Sequence, residues 1–334
     1  MTLAIGSVAI DGRAFLAPMS GVTDVGLRRL ARRFGASLVI SEMVASQELA
    51  RGDEEARMRA EGEGVLPHVV QIAGCDPHWM AEGARVAAEA GADIIDINMG
   101  CPAKKVTGGW AGSALMRDLD HATRLVEAVV AAVRVPVTLK MRLGWDDASR
   151  NAPELARRAE AAGVRLVTVH GRTRQQFYKG SADWAAVAAV RAATSLPLVV
   201  NGDIADSADA REALRLSGAD VVMIGRAAVG RPWLVGEIAR DLAGDAGRQG
   251  GAPDAATRGA AAIEHYETLL SLYGREMGLR HARKHLAAYA EHAIALGSKR
   301  ARVERARIVT SETPQHVIAA LRAMFADVPL EDAA

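Results

Sequence analysis

No stretch of this chain reaches about 18 uninterrupted apolar residues, so no membrane-spanning helix is expected. Cysteine is scarce: Cys75 and Cys101 are the only two in 334 residues. That excludes a disulfide framework and suits a reducing compartment. Net charge is nearly absent at +1, so any basic surface for nucleic acid must be local. The opening residues Met-Thr-Leu-Ala-Ile-Gly carry no basic segment before an apolar run. No secretory signal is expected, and the cytoplasm is the expected location. Half of the residues are hydrophobic and about a quarter charged, an ordinary globular composition in a chain long enough to bury a large core.

One rhythm runs through residues 1 to about 240: a short apolar run, a polar cluster, then a helical stretch. The runs are Ala14 to Ala17, Leu38 to Ile40, His68 to Ala73, Ile94 to Asn98, Val137 to Met141, Leu166 to His170, Leu198 to Asn201 and Val221 to Ile224. Most are continuous in Val, Ile and Leu, as parallel strands covered on both faces require. The segments between them are Ala-rich, with N-caps expected at Asp76, Asn151 and Asp206 or Ser207 and glycine stops at Gly91, Gly163 and Gly218. Eight strands alternating with helices predict an α/β fold, a (β/α)8 TIM barrel over residues 1–243. A doubly wound open sheet would more often carry a Gly-rich fingerprint after its first strand, and Ala17-Pro18-Met19-Ser20-Gly21 is not one. Residues 244–258 turn Gly-rich and read as a linker. Beyond it only helical patterns follow, which predicts a small all-α helical bundle over 259–330, with helices at Ala260 to Tyr273, Leu279 to Leu296, Arg300 to Val309 and Gln315 to Phe325.

In such barrels chemistry sits at the C-terminal strand ends. Single hydrogen-bonding residues end or interrupt apolar runs there: Gln71, Asn98, Lys140, His170 and Asn201. Asn201-Gly202-Asp203 and Gly225-Arg226 follow strands seven and eight, where glycine backbone and a guanidinium suit a phosphate. Lys140 with the amides of Gln71 and Asn98 would suit the pyrimidine edge of a flavin, or equally a sugar phosphate. His170 could act as acid, base or hydrogen-bond partner. Cys101 stands on a Gly-Cys-Pro turn after strand four. A thiol with an ordinary pKa near 8.5 could serve there as general acid or as nucleophile. Cys75 reads as a plain loop residue.

These residues carry a resemblance. The chain resembles the bacterial tRNA-dihydrouridine synthases, most of all their B-type branch, from about residue 8 to residue 325. The stretches that carry it include Ala17-Pro18-Met19-Ser20-Gly21-Val22-Thr23-Asp24, Ser41-Glu42-Met43, Asn98-Met99-Gly100-Cys101-Pro102-Ala103-Lys104-Lys105-Val106, Leu139-Lys140-Met141-Arg142, Val169-His170-Gly171-Arg172-Thr173-Arg174 and Ile224-Gly225-Arg226. The resemblance implies an FMN enzyme that uses NADPH to reduce the C5=C6 bond of a tRNA uridine. It implies FMN contacts at Pro18, Met19, Ser20, Gln71, Lys140, His170, Asn201, Gly202, Asp203, Gly225 and Arg226, and a proton donor at Cys101. It places Asn98, Lys104, Arg172 and Arg174 in motifs that face substrate or cofactor. Thr107-Gly108-Gly109-Trp110 departs from the branch, which often carries polar or basic residues there.

Between Arg275 and Thr310 nine basic residues stand against three acidic ones, a local balance of +6. Arg280, Arg283 and Lys284 share one helical face, opposite Ala282, Leu286, Tyr289 and Ala293. The resemblance turns that face toward tRNA phosphates. A monomer without metal is the expected state. The rival readings are an FMN barrel reducing a small molecule in the manner of dihydroorotate dehydrogenases, a non-redox phosphate-binding barrel, and a non-catalytic tRNA-binding protein.

Overall fold

The computed structural model describes residues 2–244 and 252–329. It opens with an antiparallel hairpin, β1 (Thr2–Ile5) and β2 (Val8–Asp11), which the apolar pattern did not suggest. The barrel strands follow: β3 (Ala14–Leu16), β4 (Leu38–Val39), β5 (Met43–Ala45), β6 (Val69–Ala73), β7 (Ile94–Met99), β8 (Val137–Arg142), β9 (Leu166–His170), β10 (Leu198–Asn201) and β11 (Val221–Ile224). All pair in parallel, in the order β4-β3-β11-β10-β9-β8-β7-β6-β5. β4 and β5 are two halves of one stave, parted by Ile40, Ser41 and Glu42, so the ring is the expected (β/α)8 barrel. Across the break the ladder is carried partly by a side chain. Ser41 N donates to Val69 O at 3.0 Å, while Ser41 Oγ accepts from Gln71 N at 2.9 Å and donates to Glu42 O at 2.8 Å.

The barrel interior is filled by Phe15, Val69, Ile94, Leu166, Val199 and Met223, and Leu3, Ile5 and Ile10 of the hairpin plug its lower end. A larger apolar shell lies between strands and outer helices. Asp76 and Asp206 cap the helices Pro77–Glu89 and Ser207–Ser217 as expected. Gly163 and Gly218 stop theirs in the left-handed conformation. Asn151 stands at the N-cap position of helix Ala152–Ala162, but its side chain makes no capping bond and its Nδ2 donates to Met116 O at 2.7 Å.

The helical part begins earlier than expected. Helix Ala255–Ala295 takes in residues 255–258 of the anticipated linker, and 245–251 lie outside the described residues. It folds back on itself at Gly274 (φ 70°, ψ 170°), the break anticipated between Tyr273 and Leu279. The two arms then press together at Gly278, where a Cβ would lie 2.7 Å from Leu269 O. Helices Lys299–Thr310 and Pro314–Ala326 complete this part around Tyr266, Leu286, Tyr289 and Phe325. Trp233, which leads into the last barrel helix Leu234–Ala243, is 1% exposed and buried in that second core.

The two parts also meet at a polar centre. Asp24 caps helix Val25–Arg33 through Leu27 N at 3.1 Å. Its carboxylate also faces His265 Nε2 at 3.1 Å and His285 Nε2 at 3.6 Å, all three buried. Tyr289 Oη meets His265 Nδ1 at 3.1 Å. Burial alone would raise the Asp24 carboxyl, but the two imidazoles and the Leu27 N–H outweigh it and hold it below the usual carboxylate range. Burial, then the neighbouring His265, pushes His285 well below the ordinary histidine range.

His285 is therefore neutral when folded and takes up a proton only on unfolding. Its contribution to stability is intact above about pH 6.5 and falls as pH drops below that. Thermal unfolding should show His285→Gln losing less stability than wild type between pH 7 and pH 5. Parallel profiles would contradict this account.

Candidate active site

The polar strand ends converge on one network at the barrel mouth. Asp96, in the middle of β7 and 1% exposed, accepts from Thr138 Oγ1 and Gln71 Nε2, both at 2.6 Å. Gln71 Oε1 then accepts from Asn98 Nδ2 at 2.7 Å. Asn98 Oδ1 accepts in turn from the backbone N–H groups of Gly100 (3.1 Å) and Cys101 (2.9 Å). The orientation of both amides is thereby fixed from Asp96 upward. On the far side of the turn, Cys101 O accepts from Ser113 N at 3.1 Å and Ser113 Oγ at 2.9 Å. The thiol is carried on a turn held from both flanks.

Beside it, Lys140 Nζ donates to Asn201 Oδ1 at 3.1 Å, and Asn201 Nδ2 donates to Met223 O at 2.7 Å. His170 Nδ1 lies 2.9 Å from Asn201 Oδ1, and His170 Nε2 lies 3.3 Å from Arg172 Nη1. This assigns a neutral ring that donates from Nδ1 and accepts at Nε2, the hydrogen-bond partner among the three roles open to it. Burial, then Lys140 and Arg142, pushes its pKa well below the ordinary value. Burial and the Arg142 charge bring Lys140 down to about 8, against the opposing pull of Asp96 and Cys101.

At the seventh and eighth strand exits, Gly202 (φ 116°) and Asp203 (φ 55°) take left-handed backbone. The backbone N–H groups of Gly202, Asp203, Gly225 and Arg226 find no acceptor among the described residues. A Cβ on Gly225 would lie 3.7 Å from Met19 Sδ, so the first loop with Pro18, Met19 and Ser20 borders the same space. The Asp203 carboxylate is already engaged by Arg172, by Arg226 at 3.1 Å and by Ala182 N at 2.8 Å. Only its backbone faces outward for a ligand.

Two of the residues in motifs expected to face substrate or cofactor are turned toward protein partners. Asn98 is occupied by Gln71 and the cysteine turn. Arg172 is 1% exposed and bound to Asp203, Lys179 O and Gly180 O. Lys104 is exposed, while Arg174 is half-buried against Trp145 at 4.9 Å. In the helical part Arg280 pairs with Glu276 at 2.9 Å and Arg283 is exposed. Lys284 leans toward the barrel: its Nζ would lie 3.1 Å from a Cβ on Gly21, and Glu42, which accepts from Gly21 N, faces it.

The apolar pattern gave no role to Asp96 or Thr138, and marked Arg142 only as a polar residue at the exit of its strand. A carboxylate inside the apolar run Ile-Ile-Asp-Ile was the available signal for the first. Arg142, 2% exposed, donates to Gly100 O (2.8 Å), Thr173 O (3.0 Å) and Phe177 O (2.9 Å), tying the cysteine turn to the loop after β9. Among the described residues, Asp24, His265 and His285 form the one cluster with metal-ligand spacing, and Arg28 and Lys284 place positive charge beside it.

The family profile described as "Dihydrouridine synthase (Dus)" matches residues 15–326. A Rhizobium leguminosarum bv. phaseoli protein named "Probable tRNA-dihydrouridine synthase" is 56% identical over 317 residues, 94% of this chain and 95% of that one. A "tRNA-dihydrouridine synthase B" from Xanthomonas axonopodis pv. citri is 47% identical over 337 residues, 99% of each chain. Among solved structures, a 2-naphthoyl-CoA reductase complex superposes with a TM-score of 0.56 at 13% identity. It covers 73% of this chain and 52% of that one, a likeness of fold alone.

Keeping Lys140 charged at pH 7 costs about 3 kcal/mol relative to water, taking its pKa of about 8 against the ordinary value. Because the folded pKa is the lower one, this cost is relieved as pH rises from about 8 to about 10.4. Lys140→Met is expected to raise the ligand-free melting temperature at pH 7 and to lack that alkaline gain. A variant that melts below wild type in a pH-resolved scan would show the ammonium to be stabilising instead.

Proposed function

The chain belongs to the dihydrouridine synthase family, and on that premise we propose that it is a flavin-dependent reductase of the C5=C6 bond of uridines in tRNA. The observation that carries this reading is the convergence of Lys140, Gln71, Asn201 and His170 beside the held turn of Cys101. The donor set fits flavin mononucleotide. Gln71 keeps one N–H and one lone pair after Asp96 and Asn98 are served, enough for an imide edge. Lys140 supplies a cation where negative charge would grow. The free N–H groups of Gly202, Asp203, Gly225 and Arg226, with the Arg226 guanidinium, suit its phosphate. Pro18, Met19 and Ser20 would border the ring.

When bound, the flavin supplies the hydride that reaches C6 of uracil, with NADPH as the source of reducing equivalents. Cys101 acts as general acid, giving its proton to C5 from the opposite face. Asn98 positions that thiol by holding the N–H groups of its turn, so it serves the reaction without touching substrate. The uracil must leave its stack to present both faces. Residues 255–329 hold the tRNA, with exposed Arg283 and Arg280 on phosphates and Lys104 and Arg174 near the mouth. Lys284 bridges the two parts at Gly21. A tRNA substrate would suit a cytoplasmic location.

Cys101→Ala is expected to keep its bound flavin, read from visible absorbance, while dihydrouridine formation in tRNA slows by roughly 10² or more. Wild-type turnover in that variant would rule out the acid role. Arg283→Gln is expected to weaken tRNA binding and lower the slope of log K against log salt by about one. An unchanged slope would remove Arg283 from the interface.

A further inference from the structure

Trp110 is left unused by this chemistry. Its indole is 61% exposed, and its backbone sits in the left-handed region at φ 60°, disfavoured for a bulky residue. Gly108 and Gly109 stand beside it in the sequence, and glycine would adopt that conformation without strain. Two unfavourable terms, strain and apolar exposure, thus fall on one side chain. Within the chain it has little to offset them: the Arg117 guanidinium lies 5.3 Å from its ring centroid.

The loop that carries Trp110 is fixed to the cysteine turn. Ser113 holds Cys101 O, and a Cβ on Gly112 would lie 2.8 Å from that oxygen and 3.2 Å from Cys101 Cβ. The indole therefore projects from a support in contact with Cys101. Cations and rings alternate along this rim: Arg117 also lies 4.9 Å from Trp145, Arg174 lies 4.9 Å from Trp145 on its own account, and Lys104 and Lys105 are exposed nearby. Asp118 and Asp120 share the groove, but Asp118 caps His121 N at 2.9 Å and Asp120 pairs with Arg158 at 2.6 Å.

We propose that Trp110 is a stacking platform for an unpaired nucleobase of the RNA, one that neighbours the uridine presented to Cys101. This rests on the reading of tRNA as substrate. Drawing one base out of a stack leaves its neighbour with a bare face, and an exposed indole covers such a face whatever the base. Arg117 and the two lysines meet the flanking phosphates.

The test compares wild type, Trp110→Ala and Trp110→Phe for tRNA binding across a salt series and for steady-state dihydrouridine formation, with melting temperature as the fold control. Trp110→Ala should bind roughly ten- to a hundredfold more weakly, the scale of one base stacked on an aromatic side chain. Its salt slope should parallel wild type, since no charge is removed, and KM should rise while kcat holds. Trp110→Phe should recover most of the affinity. Wild-type affinity in Trp110→Ala, a slope reduced by a full ion, or a Trp110→Phe as weak as the alanine variant would overturn the platform. If wild type itself forms no dihydrouridine, the functional reading fails, and binding of single-stranded RNA by the three proteins still decides the role of Trp110.

Discussion

The short chain of hydrogen bonds that climbs from Asp96 to the backbone of Cys101 is the constraint on which the mouth of the barrel depends. Its root is a carboxylate in the wall of the barrel, raised in pKa by burial and held back by Thr138 and Gln71. Its tip is a pair of backbone N–H groups that define where the thiol stands. The links from Asp96 to Asn98 are buried and those to the turn half-buried, so the lower ones are strong in low-dielectric surroundings and a break there leaves an unpaired polar group. Gln71 belongs to this chain and borders the proposed flavin site, so on that proposal one amide would set both ligand and thiol position.

The helical part is joined to the barrel by chemistry of two kinds. Trp233 carries barrel sequence into the helical core, a large apolar anchor. Asp24 offers one carboxylate to a barrel helix as its cap and to two histidines of the folded-back helix Ala255–Ala295. Lys284 approaches Gly21, one residue beyond the Pro18-Met19-Ser20 loop. Any shift of the helical part is therefore felt at the loop that borders the proposed flavin site.

Much of this was legible in the chain. Continuous Val, Ile and Leu runs located all eight staves, because strands covered on both faces have no polar side to confuse the pattern. Aspartate caps and left-handed glycines marked helix ends at Asp76, Asp206, Gly163 and Gly218. The hairpin β1–β2 was missed because four-residue strands give too little alternation to read. The divided second stave was missed because Ser41 replaces backbone with a hydroxyl, a substitution that no periodicity records. At the site, polar residues ending apolar runs identified Gln71, Lys140, His170 and Asn201. Their directions were not legible. Arg172 and Asn98 turn inward because partners they meet, Asp203 and Gln71, stand at the ends of other strands that only the fold brings alongside.

Arg142 has a consequence for how such a site can change over time. All three of its acceptors, Gly100 O, Thr173 O and Phe177 O, are main-chain carbonyls. A carbonyl is the same acceptor whatever side chain its residue carries. The two loops at the mouth are thus anchored in a way indifferent to their own sequence, and their outward residues are free to drift without moving the thiol. A tryptophan at position 110 can thus stand exposed on that rim without disturbing the turn that carries Cys101.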